Sequence, residues 1–154
     1  MTQRDEGIEK TLLRAIASDR KCLVPYITGG FDGYLEAISA AAEAGADAIE
    51  IGIPFSDPVM DGPTIQKAND LVLSAGVTPA QIIDEVASLD VDVPLAVMTY
   101  YNVVYRFGLQ RLASNLKEAR ISGVILPDLP LVEAGSWQEA STSAEREAIL
   151  LAAP

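Results

Sequence analysis

The chain has 154 residues, 49% of them apolar, a formal net charge of −11, one cysteine and no histidine. That length and apolar share describe one globular domain with its own core, not a disordered chain, and the acidic balance argues against nucleic acid or an anionic membrane as partner. Without histidine, His-based triads and most zinc or iron sites are excluded, which leaves carboxylates as the obvious catalysts. The lone Cys22 argues against a disulfide framework and fits a reducing, cytoplasmic setting. No apolar run approaches the roughly 18 residues that span a bilayer, and the N-terminus lacks the apolar core of a signal peptide.

In chain order, residues 5–18 have an amphipathic helical pattern, with Ile8, Leu12, Leu13 and Ile16 on one face. Residues 21–28 (KCLVPYIT) form a first apolar run, read as a strand. Gly29, Gly30 and Gly33 make a loop, with Asp32 as the expected N-cap of a helix over 33–44. The loop reads GGxxG and not GxGxxG, and Asp32 would repel a phosphate, so it is not read as a nucleotide loop. Residues 47–53 form a second strand, followed by a Pro-, Gly-, Ser- and Asp-rich loop. A helix over 64–75 ends at Gly76 in the C′ position. Thr78 as N-cap with Pro79 at N1 starts a helix over 79–89. Strands follow at 94–99, 123–126 and 147–151, alternating with helices over 108–120 and 131–143. Trp137 is read as helix packing and Cys22 as a small buried hydrophobe.

Short continuous apolar strands divided by amphipathic helices mean a parallel α/β sheet covered by helices. An open doubly wound sheet and a (β/α)8 barrel compete. A barrel runs to about 250 residues, so five of its eight units need about 156. Residues 1–154 therefore fit a single, incomplete (β/α) barrel domain with an extra N-terminal helix, truncated after strand 5.

The stretch that carries chemistry is GADAIEIGIPFSDPVMDGPTIQ, residues 45–66. Glu50 sits inside an apolar strand, where desolvation raises a carboxyl pKa and suits it to general acid or base work. With period two, Glu50 points away from the side of Ile49 and Ile51; if helices cover the isoleucines, Glu50 faces the interior. A structural ion pair is the alternative. Asp61, eleven residues on, reads by itself as a turn or capping residue before Pro63, and Asp57 as a turn residue. Paired with Glu50, Asp61 gives two carboxylates in different environments, a common acid/base arrangement. Tyr100, Tyr101 and Asn102 follow the third strand, where aromatic rings either line a pocket for a flat apolar group or simply pack. Asp128 ends the fourth strand as a site residue or a loop cap.

These residues resemble the signature of the tryptophan synthase alpha chain family. Further matches are VPYITGG at 24–30, MTYYN at 98–102, GVILPDLP at 123–130 and LAAP at 151–154, so that the resemblance spans residues 8–154. It implies a (β/α)8 TIM barrel with an added N-terminal helix. The activity it implies is retro-aldol cleavage of indole-3-glycerol phosphate to indole and glyceraldehyde 3-phosphate. No cofactor of the chain's own is implied; pyridoxal phosphate belongs to a partner beta subunit, in an alpha2-beta2 complex. By motif position, Glu50 and Asp61 resemble the family's catalytic pair, Tyr26 and Tyr100 resemble aromatic residues around the indole, and Asp57, Pro58 and Asn102 match positions that face the beta subunit. The family holds its phosphate after strands six to eight, beyond these residues. The piece alone is therefore expected to be inactive or nearly so, with a raw strand edge at 147–151. The alternative is a non-catalytic module that binds and activates a beta subunit through the loop at 53–61.

Overall fold

A computed structural model describes residues 3–151. Five parallel strands, β1 (Tyr26–Thr28), β2 (Ile49–Gly52), β3 (Leu95–Met98), β4 (Gly123–Ile125) and β5 (Glu147–Ile149), lie side by side in sequence order. Helices α1 (Gln3–Glu6) and α2 (Ile8–Ala17) precede the sheet. Between the strands come α3 (Tyr34–Glu43), then α4 (Pro63–Ser74) and α5 (Pro79–Ala87), then α6 (Tyr101–Phe107) and α7 (Leu109–Glu118), and finally a 3-10 turn (Leu131–Glu133) with α8 (Gly135–Ser143).

The register sorts the strand residues into two faces. Ile27, Ile51, Val97, Val124 and Ala148 are aligned across all five strands. All belong to the main core, with Ile82 and Val86 of α5, Leu112 and Leu116 of α7, and Trp137 of α8. The alternate row is Tyr26, Glu50, Ala96, Gly123 and Glu147, small or polar side chains on the opposite face. Strands in consecutive order with one face wholly apolar under helices, and the other mixing small, polar and apolar side chains, make consecutive units of a (β/α) barrel, not a doubly wound sheet.

Helix α2 packs against the inner face. Ile8 and Leu12 pack with Ala48, Ala96, Ile125 and Ile149. Leu13 and Ile16, expected on the same buried face, are 57% and 61% exposed. The buried positions of α2 are Ile8, Thr11 and Ala15, one line along the helix, and Thr11 is tolerated there because its hydroxyl donates to the Gly7 carbonyl at 2.8 Å. Gly7, at φ 88°, separates α1 from α2, so the single expected helix is two. Arg4 on α1 is 2% exposed. Its guanidinium donates to the carbonyls of Leu89 (2.6 Å), Ala119 (3.0 Å) and Arg120 (3.1 Å), with Val86 at 3.4 Å. These carbonyls lie at the C-terminal ends of α5 and α7, where acceptors lack partners and the helix dipoles favour a cation. Glu147 of β5 completes the tie by accepting from the N–H groups of Ile8 (2.9 Å) and Glu9 (3.1 Å) at the start of α2.

Other local expectations divide by range. Thr78 caps α5 through an acceptor bond from the Gln81 N–H at 3.3 Å, and Gly76 takes the left-handed conformation, φ 77°, after α4. Asp32 does not cap α3; the N-cap is Gly33, at φ 76°. Within the run at 21–28 the regular strand is Tyr26–Thr28, although the Leu23 and Pro25 carbonyls already accept from the Asp47 and Glu50 N–H groups at 2.9 Å, and the side chains of Leu23 and Val24 are exposed. Cys22 is half-buried and not a core residue, whereas Trp137 is buried as expected. The helix expected at 131–143 is broken by its 3-10 first turn. α6 was not expected, and it starts because Asp128 caps it from a distance, both carboxylate oxygens accepting from the Tyr101 N–H at 2.9 and 3.0 Å. Gly29 and Gly30 serve packing: Cβ atoms there would lie 2.8 Å from Ile82, and from Val72 and Val77. Of the LAAP motif, residues 152–154 lie outside the described residues.

Candidate functional site

The site lies on the inner face and is built from Tyr26 at the start of β1, Glu50 within β2, and the segments that follow β2 and β3. β2 turns Ile49 and Ile51 into the core, and that alternation aims Glu50 inward. Its carboxyl is half-buried and its pKa is raised, first by desolvation and then by the charge of Asp61. A proton is thereby held on Glu50 above the ordinary glutamate range.

Tyr26 neighbours Glu50 in register and shares its face. Burial is the main cause that pushes its hydroxyl pKa up to about 12, opposed by a hydrogen bond from Thr28 and aided by the charges of Asp61 and Glu50. The ring has room because position 52 is glycine. A Cβ there would fall onto the Tyr26 phenol, with the ring Cε2 2.7 Å away.

Asp61 arrives from the loop between β2 and α4. It is not the capping residue of α4; the N-cap is Gly62, and Pro63 supplies N1. Three side chains from two other elements hold it. Gln66 of α4 donates Nε2 to the Asp61 carbonyl at 2.7 Å. Asn69, one turn further on, donates Nδ2 to the Asp61 carboxylate at 3.1 Å. Tyr100, just after β3, accepts from the Met60 N–H at 3.2 Å, next to Asp61 in the chain, and lies near enough for the Asp61 charge to act on its hydroxyl. Tyr100 is buried and packs on Phe55 with ring centroids 5.1 Å apart, so that it clamps both ends of the loop. Its own pKa is raised by burial first.

Glu50, Asp61, Tyr26 and Tyr100 therefore converge: the charge of Asp61 is felt by Glu50, Tyr26 and Tyr100, and that of Glu50 by Tyr26. Asp57, Pro58 and Asn102 do not join them. Asp57 is exposed at the crest of the loop, where Ser56 donates to it at 2.6 Å, beside exposed Val59 and Met60; Pro58 is half-buried, and Asn102 is exposed on the first turn of α6. Asp128 is a helix cap. Gln66 and Asn69 were missed by sequence reading. The signal for Asn69 was present, a polar residue one turn from Val72 on the buried line of α4. Among the described residues no group of three metal-ligating side chains is found, and no helix is long and apolar enough to cross a membrane.

The family model for the tryptophan synthase alpha chain matches residues 12–154. The alpha chain of Streptomyces avermitilis is 40% identical over 99% of this chain and 57% of its own length. That of Methanosarcina mazei is 43% identical over 86% of this chain and 50% of its own. Among solved structures, the alpha subunit from Legionella pneumophila superposes with a TM-score of 0.85 at 32% identity, covering 96% of this chain and 57% of that one. Tryptophan synthase from M. tuberculosis gives 0.88 at 34%, covering 94% and 60%. The chain spans a little over half the length of these relatives. That match runs through every segment that carries the converging residues, from Tyr26 to Tyr100: the chain belongs to the tryptophan synthase alpha chain family.

Proposed function

We propose that the protein is a carbon–carbon lyase of tryptophan biosynthesis that cleaves indole-3-glycerol phosphate to indole and glyceraldehyde 3-phosphate. The observation that carries this reading is Glu50, aimed into the inner face from the middle of an apolar strand, with its proton held by burial and by Asp61.

Glu50 in its protonated form gives its proton to C3 of the indole ring. The ring becomes an indolenine, whose nitrogen takes up positive charge. The Glu50 carboxylate then removes the proton of the hydroxyl on the carbon attached to the ring. The O–H electrons form the aldehyde C=O, the C–C bond breaks, and its electrons restore the aromatic ring. Glu50 ends protonated, as it began. Asp61 accepts the ring N–H and stabilises the charge that develops there. Tyr26 borders the same space and flanks the flat ring; Tyr100 acts beside it through the loop. The chain needs no cofactor for this chemistry, and pyridoxal phosphate belongs to the beta subunit. A cytoplasmic setting agrees with the single half-buried Cys22.

The loop crest is the proposed contact with the beta subunit in an alpha2-beta2 complex. Asp57, Pro58 and Asn102 would face it, and exposed Val59 and Met60 offer apolar area beside them. One loop thus carries Asp61 at its base and the contact at its crest.

Glu50→Gln in the full-length protein is expected to abolish cleavage, and near-normal turnover would discard the mechanism. Asp57→Ala is expected to weaken activation by the beta subunit while leaving the unfolding midpoint unchanged; unaltered activation would remove the coupling role of the loop.

A further inference from the structure

Asn69 is 2% exposed in the middle of α4. Asparagine is a poor helix former, and a buried amide is costly unless all its hydrogen bonds are made. Here Nδ2 donates to Asp61 Oδ2 at 3.1 Å, while Oδ1 has no partner among the described residues. An ionised carboxylate only accepts, which fixes the amide nitrogen as the atom that faces Asp61. An apolar residue of equal size would suit this buried line, next to Val72, better than a half-satisfied amide.

We propose that Asn69 is a positioning residue for Asp61, a role that rests on the lyase reading above. Asp61 stands on irregular backbone, and its orientation is borrowed from a twelve-residue helix. Gln66 holds the Asp61 backbone and Asn69 holds its carboxylate, from successive turns of α4. Tyr100 approaches from β3. The carboxylate plane is thereby set before substrate arrives, so no reorganisation is needed when the ring nitrogen gains charge.

The test is a double-mutant cycle in the full-length protein assayed with its beta subunit. Asn69→Leu is expected to fold with an unchanged or higher unfolding midpoint, since it removes the orphaned oxygen. Its kcat should fall about 10- to 100-fold, the range for a lost hydrogen bond to a charged group, with KM little changed because the charge exists only in the transition state. In the Asp61→Asn background the same substitution should cost nothing further. Asn69→Asp, equal in shape, sets a second carboxylate against Asp61 and should lose at least as much. A kcat within about twofold of wild type in Asn69→Leu overturns the positioning role alone, given that a twofold change is well under 1 kcal/mol. An equal loss in both backgrounds also overturns it. Full turnover in Asp61→Asn overturns the reading of Asp61 itself, and is a different result from either.

Discussion

Replacing Arg4 by methionine keeps the aliphatic stem and removes the fork that ties α1 to the ends of α5 and α7. The acceptors fare differently. The Val86 carbonyl keeps its bond from the Leu89 N–H at 3.2 Å. The bonds to Leu89 and Arg120 are part-buried, and water can replace the guanidinium at about 1 kcal/mol each. The bond to Ala119 is buried, and losing it costs the desolvation of a carbonyl, about 1–3 kcal/mol. With the low end taken for the Ala119 carbonyl the sum is at least about 3 kcal/mol, out of a total that is typically about 5–15 kcal/mol. With a urea dependence of about 2 kcal/mol per molar, the midpoint should fall by about 1.5 M with unchanged slope. Fluorescence of Trp137, the one tryptophan of the chain and buried in the main core, reports the transition. Arg4→Lys should recover less than half, because an ammonium cannot reach acceptors on two helix ends with a rigid fork. A midpoint for Arg4→Met within about 0.25 M of wild type, on the same slope, would refute the reasoning.

Gly52→Ala should place its Cβ on the Tyr26 phenol. Because that ring is the mobile end of a side chain, the variant should fold with a loss of only about 1 kcal/mol while Tyr26 leaves the cleft; a structure of the variant with the Tyr26 ring unmoved would contradict this. Glu50→Gln should alter stability in a pH-dependent way. Burial and Asp61 raise the folded pKa of Glu50, so the folded state binds this proton more tightly, and stability present below the ordinary glutamate pKa is lost as pH rises through the folded value. Glutamine carries no such loss. The variant should therefore be more stable than wild type at about pH 7.5 and no more stable at about pH 4. Thermal unfolding at both values checks it, and a difference that does not grow with pH would count against a raised pKa.

Much of the scaffold was legible because its causes are local. Alternation along IEIG turns Ile49 and Ile51 one way and Glu50 the other, and no distant residue is needed to say so. Thr78-Pro79 writes its own helix start within four residues. Where reading failed, a distant partner decided. The α6 helix begins at Tyr101 because Asp128 caps it from 27 residues away. Leu13 and Ile16 are exposed because the line of α2 turned to the sheet is Ile8, Thr11 and Ala15, with Leu12 beside it.

The candidate site divides in the same way. Glu50 declared itself by being a carboxylate in an apolar run, which is costly wherever the chain goes. Asp61, in a Gly-Pro turn, had an ordinary local explanation, and only folding shows that it caps nothing and is held by Asn69 and Tyr100. The amino-acid sequence by itself determined where the five strands and most of the helices fall, which strand face is apolar, and that a carboxylate points from the other. Tertiary structure alone decided what gathers around that carboxylate, since Tyr26 comes beside Glu50 by strand pairing and the contact of Met60 with Tyr100 closes a loop of 40 residues. Periodicity and capping act over a turn or two of chain, whereas a site is made where distant segments are brought within 3 Å or so of each other, and that distance is set by packing.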